Sequence, residues 1–94
     1  MGGMMAGPDA SPSTAAFEAA ATRMHVAMAI DYTGDADIDF AHGMIAHHQG
    51  AIDMANVLLE YGSDPDLRQL AGDIIAAQEK EVIFLNQWLE AHGG

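Results

Sequence analysis

Between Asp35 and Gly62 the chain sets Phe40, Met44, His47, His48, Ala51, Ala55, Leu58 and Leu59 on one face of a helix turning once per 3.6 residues. His42, Gln49, Asp53 and Glu60 fall on the other. A pattern of that length and period cannot be a strand, whose faces alternate at every second residue, so the middle of the chain is committed to one long amphipathic helix. The same pattern aims two adjacent histidines, with Met44 one turn before them, at an otherwise apolar stripe. A lone inward histidine is ordinarily a satisfied core residue; two with a thioether beside them bring metal ligation level with that reading.

Punctuation around this segment places a helix on either side of it. Asp35 is a cap, Asp37 and Asp39 suit the positive end of the helix dipole, and Gly62 closes the helix after Tyr61. Gly43 and Gly50 are costly inside a helix, which predicts close approach by another helix at both. Ser11-Pro12 or Ser13 can open a first helix carrying Phe17, Ala21, Met24 and Met28 at helical spacing, ending before Thr33-Gly34. Asp64-Pro65 opens a third, running to about Ala91 with an apolar stripe of Leu67, Leu70, Ala71, Ile74, Val82, Leu85, Trp88 and Leu89. Gln78 and Glu81 fall inside that stripe. A core-facing carboxylate needs a partner, and the short connection sets helix three antiparallel to helix two, with Glu81 opposite the Met44 to His48 turn. A hydrogen bond from an imidazole to Glu81 is the first expectation and direct metal ligation the second, with Gln78 a further polar neighbour of the site. Residues 1–12 read as a flexible Met, Gly and Pro tail, and 13–94 as a single helical domain.

Half of the 94 residues are apolar, and the β-branched ones are too scattered for a sheet, which predicts an all-α fold. Fourteen acidic residues against three basic ones give a formal charge of −11, which repels nucleic acid and anionic membrane surfaces, so no nucleic-acid partner is expected. The absence of cysteine removes disulfides, zinc ribbons, iron–sulfur clusters and thiolate copper transfer together. No apolar run approaches a bilayer span, so no membrane insertion is expected. No leader pattern opens the chain, although Met1-Gly2-Gly3-Met4-Met5 equally suits the start of a mature segment.

Without thiols, a soft-metal site must use Met and His. Thioethers favour Cu(I) or Ag(I) and do not titrate, whereas imidazole adds affinity for Cu(II). Met44 can chelate with His48 or with His47, and Met24, His25 and Met28 make a second donor cluster on helix one. Adjacent histidines diverge by about 100° on a helix, so two sites, or one ligand and one structural histidine, are expected. Met54, at the edge of the apolar face, reads as packing. His42 reads as a solvated partner of Asp39, His92 as incidental, and Met1, Met4 and Met5 as a loose capture arm or plain linker. Ferritin-type di-iron chemistry would need inward Glu-x-x-His pairs, and no nucleophile stands in a recognisable setting, so no catalysis is expected.

Thr33-Gly34-Asp35-Ala36-Asp37-Ile38-Asp39-Phe40, then Gly43-Met44-Ile45-Ala46-His47-His48-Gln49-Gly50-Ala51-Ile52-Asp53-Met54-Ala55, resembles the signature of the domain of unknown function 305 family. The resemblance continues through Tyr61-Gly62-Ser63-Asp64-Pro65, Leu70-Ala71, Ile74-Ile75, Gln78, Glu81 and Trp88-Leu89, covering roughly residues 24 to 92. It implies a small exported bacterial protein with a ferritin-like helical bundle, in a family some of whose members are linked to copper or silver tolerance. It further implies Met44, His47, His48 and Met54 as ligands, with Met24, His25 and Met28 upstream. Ala46 stands where the family commonly has proline, and Leu85 where it often has methionine, which weakens any site needing that last thioether.

The expectation is therefore an antiparallel three-helix, ferritin-like domain, with a symmetric homodimer to complete a larger bundle. It would bind a copper ion, as Cu(I) with Ag(I) or Cu(II) as alternatives, and serve as a periplasmic or extracellular chaperone or buffer that exchanges metal with another protein. The rival is a structural or interaction module whose inward histidines hydrogen-bond to Glu81 and Gln78 and bind nothing.

Overall fold

A computed structural model describes residues 11–94 as three helices, α1 (Pro12–Met28), α2 (Ala36–Tyr61) and α3 (Pro65–Ala91), joined by short connections. The tail expected over residues 1–12 lies outside the described residues for its first ten, as do Met1, Met4 and Met5; Pro12 already belongs to α1.

Each helix starts where its capping chemistry predicts. The Ser11 hydroxyl accepts from the Thr14 amide at 3.2 Å, with Pro12 in the first turn, where its missing N–H is no loss. Asp35 accepts from the amides of Asp37 and Ile38 at 3.0 and 3.2 Å, and Asp64 from Leu67 at 2.9 Å. Gly62 closes α2 by donating to Leu58 at 2.6 Å, in extended rather than left-handed backbone. The Arg68 guanidinium then bonds the carbonyls of Leu59 and Gly62, placing a cation from α3 at the negative end of α2. Ahead of α2, Asp39 turns back to accept from the Thr33 and Gly34 amides at 2.9 and 3.2 Å, fixing a turn in which Gly34 adopts a φ of +91°.

The fold is all-α, with the helices running antiparallel in turn. They form a layer with α2 in the centre: α2 packs on both neighbours, and no Cα of α1 comes within 8 Å of α3. The molecule is a slab of 49 × 28 × 15 Å, and its radius of gyration of 16.3 Å exceeds the about 12 Å of a compact domain of this length. Small residues dominate what is buried, with Ala20 on α1, Ala41, Ala46, Ile52, Ala55 and Val57 on α2, and Ala71 and Leu89 on α3.

The two helical glycines behave differently. At Gly50 a Cβ would collide with the Met24 side chain of α1, its Cγ 2.8 Å away, so glycine is what lets the two helices approach. At Gly43 nothing lies within 4 Å, contrary to the expected close approach; the α1–α2 crossing is centred further along α2.

Because α1 and α3 flank α2 on opposite sides, the α2 stripe between them is left open. Phe40, expected inward, is 64% exposed, and Met54 is 49% exposed. Leu67 and Leu70, on the expected core stripe of α3, are also exposed. The polar row of α2, with Gln49, Asn56 and Glu60, lies on the opposite side of the slab.

Candidate metal site

His47 and His48 part company in this layer. The 100° step between them carries His48 into the α2–α3 seam, where it is 6% exposed, and leaves His47 exposed on the open face. The inward direction expected for both therefore holds for His48 alone, because no third helix covers the face that His47 occupies.

Across the seam, His48 Nε2 is hydrogen-bonded to Glu81 Oε1, the pairing that antiparallel register predicts. Glu81 itself is not buried as its place in the apolar stripe suggested: its side chain is 61% exposed, reaching from the rim of α3 so that one oxygen meets the buried imidazole while the rest stays solvated. Such a carboxylate escapes most of the cost of burial. Two polar atoms in this region are buried without a hydrogen-bond partner, His48 Nδ1 and Gln78 Oε1. Buried polar atoms are nearly always paired; Gln78 Oε1 is an acceptor, and His48 Nδ1 is one when the imidazole is neutral.

In the neutral imidazole, Nε2–H is donated to the carboxylate and the lone pair lies at Nδ1. A carboxylate that orients an imidazole and raises its basicity while the other nitrogen stays free is the arrangement that supports histidine ligands in metal sites. The two imidazole rings lie 6.4 Å apart, centroid to centroid, with an interplanar angle of 63°. A histidine nitrogen holds a metal at about 2 Å, which puts the ring centroid roughly 3 Å from the ion, so this spacing is at the outer reach of one shared ion. Met44, half-buried, precedes both by one turn.

The upstream donors are placed less uniformly. Met24 is half-buried against Gly50, one turn beyond His47 on α2, and fills the α1–α2 contact; His25 and Met28 are exposed. Met54 lies on the open face, two turns beyond His47, lining an apolar groove with Phe17, Leu58, Leu67, Leu70 and Ile74. Among the described residues no three His, Cys, Asp or Glu side chains are grouped so as to hold a metal ion.

The remaining histidines serve the ends of the layer. His42 Nε2 meets the Gly94 carbonyl at 3.2 Å, while its expected partner Asp39 is engaged with Thr33 and Gly34. Those bonds, led by the Thr33 amide, hold the Asp39 carboxyl below its ordinary pKa, with the nearby His42 charge a minor cause. His92, which looked incidental, stacks on Trp88 at 4.1 Å and bonds its carbonyl through Nδ1 at 2.7 Å, closing α3. A histidine four residues after a tryptophan at a helix end was the available signal.

Residues 37–94, which span most of α2 and all of α3 with the His48–Glu81 seam, match the family described as a domain of unknown function, DUF305. The chain belongs to that family. It is also similar to an uncharacterized protein of Acanthamoeba polyphaga mimivirus, 39% identical over 54 residues, a stretch covering 57% of this chain and 36% of the viral protein. The DUF305 match begins inside the first turn of α2, so α1, with Met24, His25 and Met28, lies before the matched segment. Among the described residues no helix is long and apolar enough to cross a membrane.

Proposed function

We propose that this DUF305 chain binds monovalent copper, with Ag(I) as its chemical stand-in, at Met44, His47 and His48. On this reading it acts as a metal buffer or chaperone outside the cytoplasm, in metal tolerance. The observation that carries the reading is the His48 imidazole, buried, tied to Glu81 through one nitrogen and unpartnered at the other. Thioether and imidazole donors fit the soft Cu(I) ion, and the ion would be cargo, bound and passed on. A site without cysteine keeps its donors where thiols would be oxidised to disulfides, which suits an exported protein. Binding and release are the whole activity proposed, and the metal-exchange partner would be a second protein that receives the ion.

The test is a Cu(I) competition titration against a chromogenic chelator, using the parent chain and the double variant Met44→Leu/His48→Leu. Tight binding by the parent and its loss in the variant are expected; a variant affinity within threefold of the parent removes the central motif as the site.

The His48–Glu81 bond also favours a second reading, in which the pair simply fixes the register of α2 against α3 and the chain is an interaction module. A parent chain that takes up no Cu(I) or Cu(II) selects it.

A further inference from the structure

The open face of the slab has a definite pattern. Phe40, Met44, His47, Ala51, Met54 and Leu58 follow one another along α2 at steps of four and three, within about 40° of one line. This row carries no carboxylate, lysine or arginine, and His47 is its one polar side chain. It runs between two depressions, one lined by Asp37, Phe40, Phe84, Leu85 and Trp88, the other a groove of about 330 Å³ lined by Met54, Leu58, Leu67 and Leu70. Phe40 and Phe84, both 64% exposed, stand out of it at one end.

We infer that this face is the interface between two copies of the chain, packed with their α2 helices antiparallel about a two-fold axis level with Gln49, and that each copy completes the other's copper site. The outline of the slab, 49 × 28 Å, encloses about 1,400 Å², and a contact covering about three-fifths of it reaches the roughly 800 Å² per partner of a stable interface. The outline admits an interface of that size, and a two-fold contact uses the same patch on both copies. The spacing of the row selects the register. Only an axis at Gln49 covers the whole row, setting Phe40 against Leu58 of the partner subunit, His47 against the partner's Ala51, and Met44 against the partner's Met54. The protruding Phe40 ring then enters the groove beside the partner's Leu58, and the smallest residue of the row leaves room for the imidazole.

The consequence for the site rests on the copper reading above. Met54 of the partner subunit adds a second thioether to the Met44, His47 and His48 set of one copy, and the two-fold generates the shared site twice. Two thioethers suit Cu(I) better than the single one that each copy supplies on α2 at this point. Two chains of net charge −11 repel one another, and a bound cation at each shared site lowers that repulsion, so Cu(I) strengthens the dimer.

The experiment is complementation between two defective variants, with sedimentation run on the same samples. Met44→Leu/His47→Leu and Met54→Leu each lose tight Cu(I) binding alone. Mixed in equal amounts they regain it, because the mixed dimer holds one intact set; statistical pairing restores about a quarter of the parent's capacity. Phe40→Glu, at an exposed position that leaves the monomer fold alone, shifts the parent dimer toward monomer, with helicity by circular dichroism confirming folding. A parent that stays monomeric with and without Cu(I) overturns the interface. A dimer whose variants bind no better mixed than apart overturns the shared site and leaves the copper reading standing. A parent that dimerises but takes up no Cu(I) overturns the shared site together with the copper reading.

Discussion

His48, on α2, and Glu81, thirty-three residues later on α3, meet through one ring nitrogen and one carboxylate oxygen, while the other ring nitrogen of His48 is buried without a partner. The bond ties the middle of the two longest helices together, and it decides which imidazole nitrogen remains free for a ligand.

Glu81→Gln retains a side chain of the same shape with weaker accepting power. Loss of a carboxylate behind a ligating imidazole lowers metal affinity by about 10- to 100-fold, and a fall of that size in Cu(I) affinity is expected by chelator competition. Glu81→Ala leaves both ring nitrogens of His48 unpaired, which costs roughly 1–3 kcal/mol in urea unfolding of the metal-free protein. An unchanged affinity in Glu81→Gln would assign the bond to register alone.

Donor chemistry sets a pH dependence. Imidazoles must shed protons to bind a metal and thioethers need not, so Cu(I) binding should survive mild acid that removes Cu(II). Parallel titrations at neutral and mildly acidic pH check this, and loss of both ions together would count against thioether ligation.

Gly43 and Gly50, one heptad apart on the same helix, should respond in opposite directions. Gly43→Ala meets open space and is expected to stabilise by about 0.5–1 kcal/mol through helix propensity. Gly50→Ala drives a methyl group into Met24 and is expected to destabilise by about 1–3 kcal/mol through overpacking. Thermal and urea unfolding of the two variants decide it; equal effects would mean that α1 does not close on Gly50.

Asp39 is held below its ordinary pKa of 3.8 chiefly by the Thr33 amide. A depressed carboxyl contributes stability that is present above its unfolded value and lost as pH falls through its folded value. The stability difference between the parent and Asp39→Asn should therefore be constant above about pH 5 and shrink below pH 3.8. Melting curves across that range test the sign, and a difference that grows in acid would contradict it.

Helix starts were legible from the chain because capping is local: Ser11, Asp35 and Asp64 each bond amides within three residues of themselves. The His48–Glu81 pair was legible too, because the short link between Tyr61 and Pro65 leaves α3 no choice but to run back along α2. Of the α2 face that periodicity marked as inward, only His48 and Ala55 are buried, whereas Ala41, Ala46, Gly50, Ile52 and Val57, outside it, are buried against the flanking helices. What periodicity could not convey is which residues are covered, since it describes one helix and burial depends on where its neighbours sit. Tertiary structure alone placed α1 and α3 on opposite flanks of α2, burying His48 and Ala55 in the seams while leaving Phe40, His47 and Met54 on an open surface.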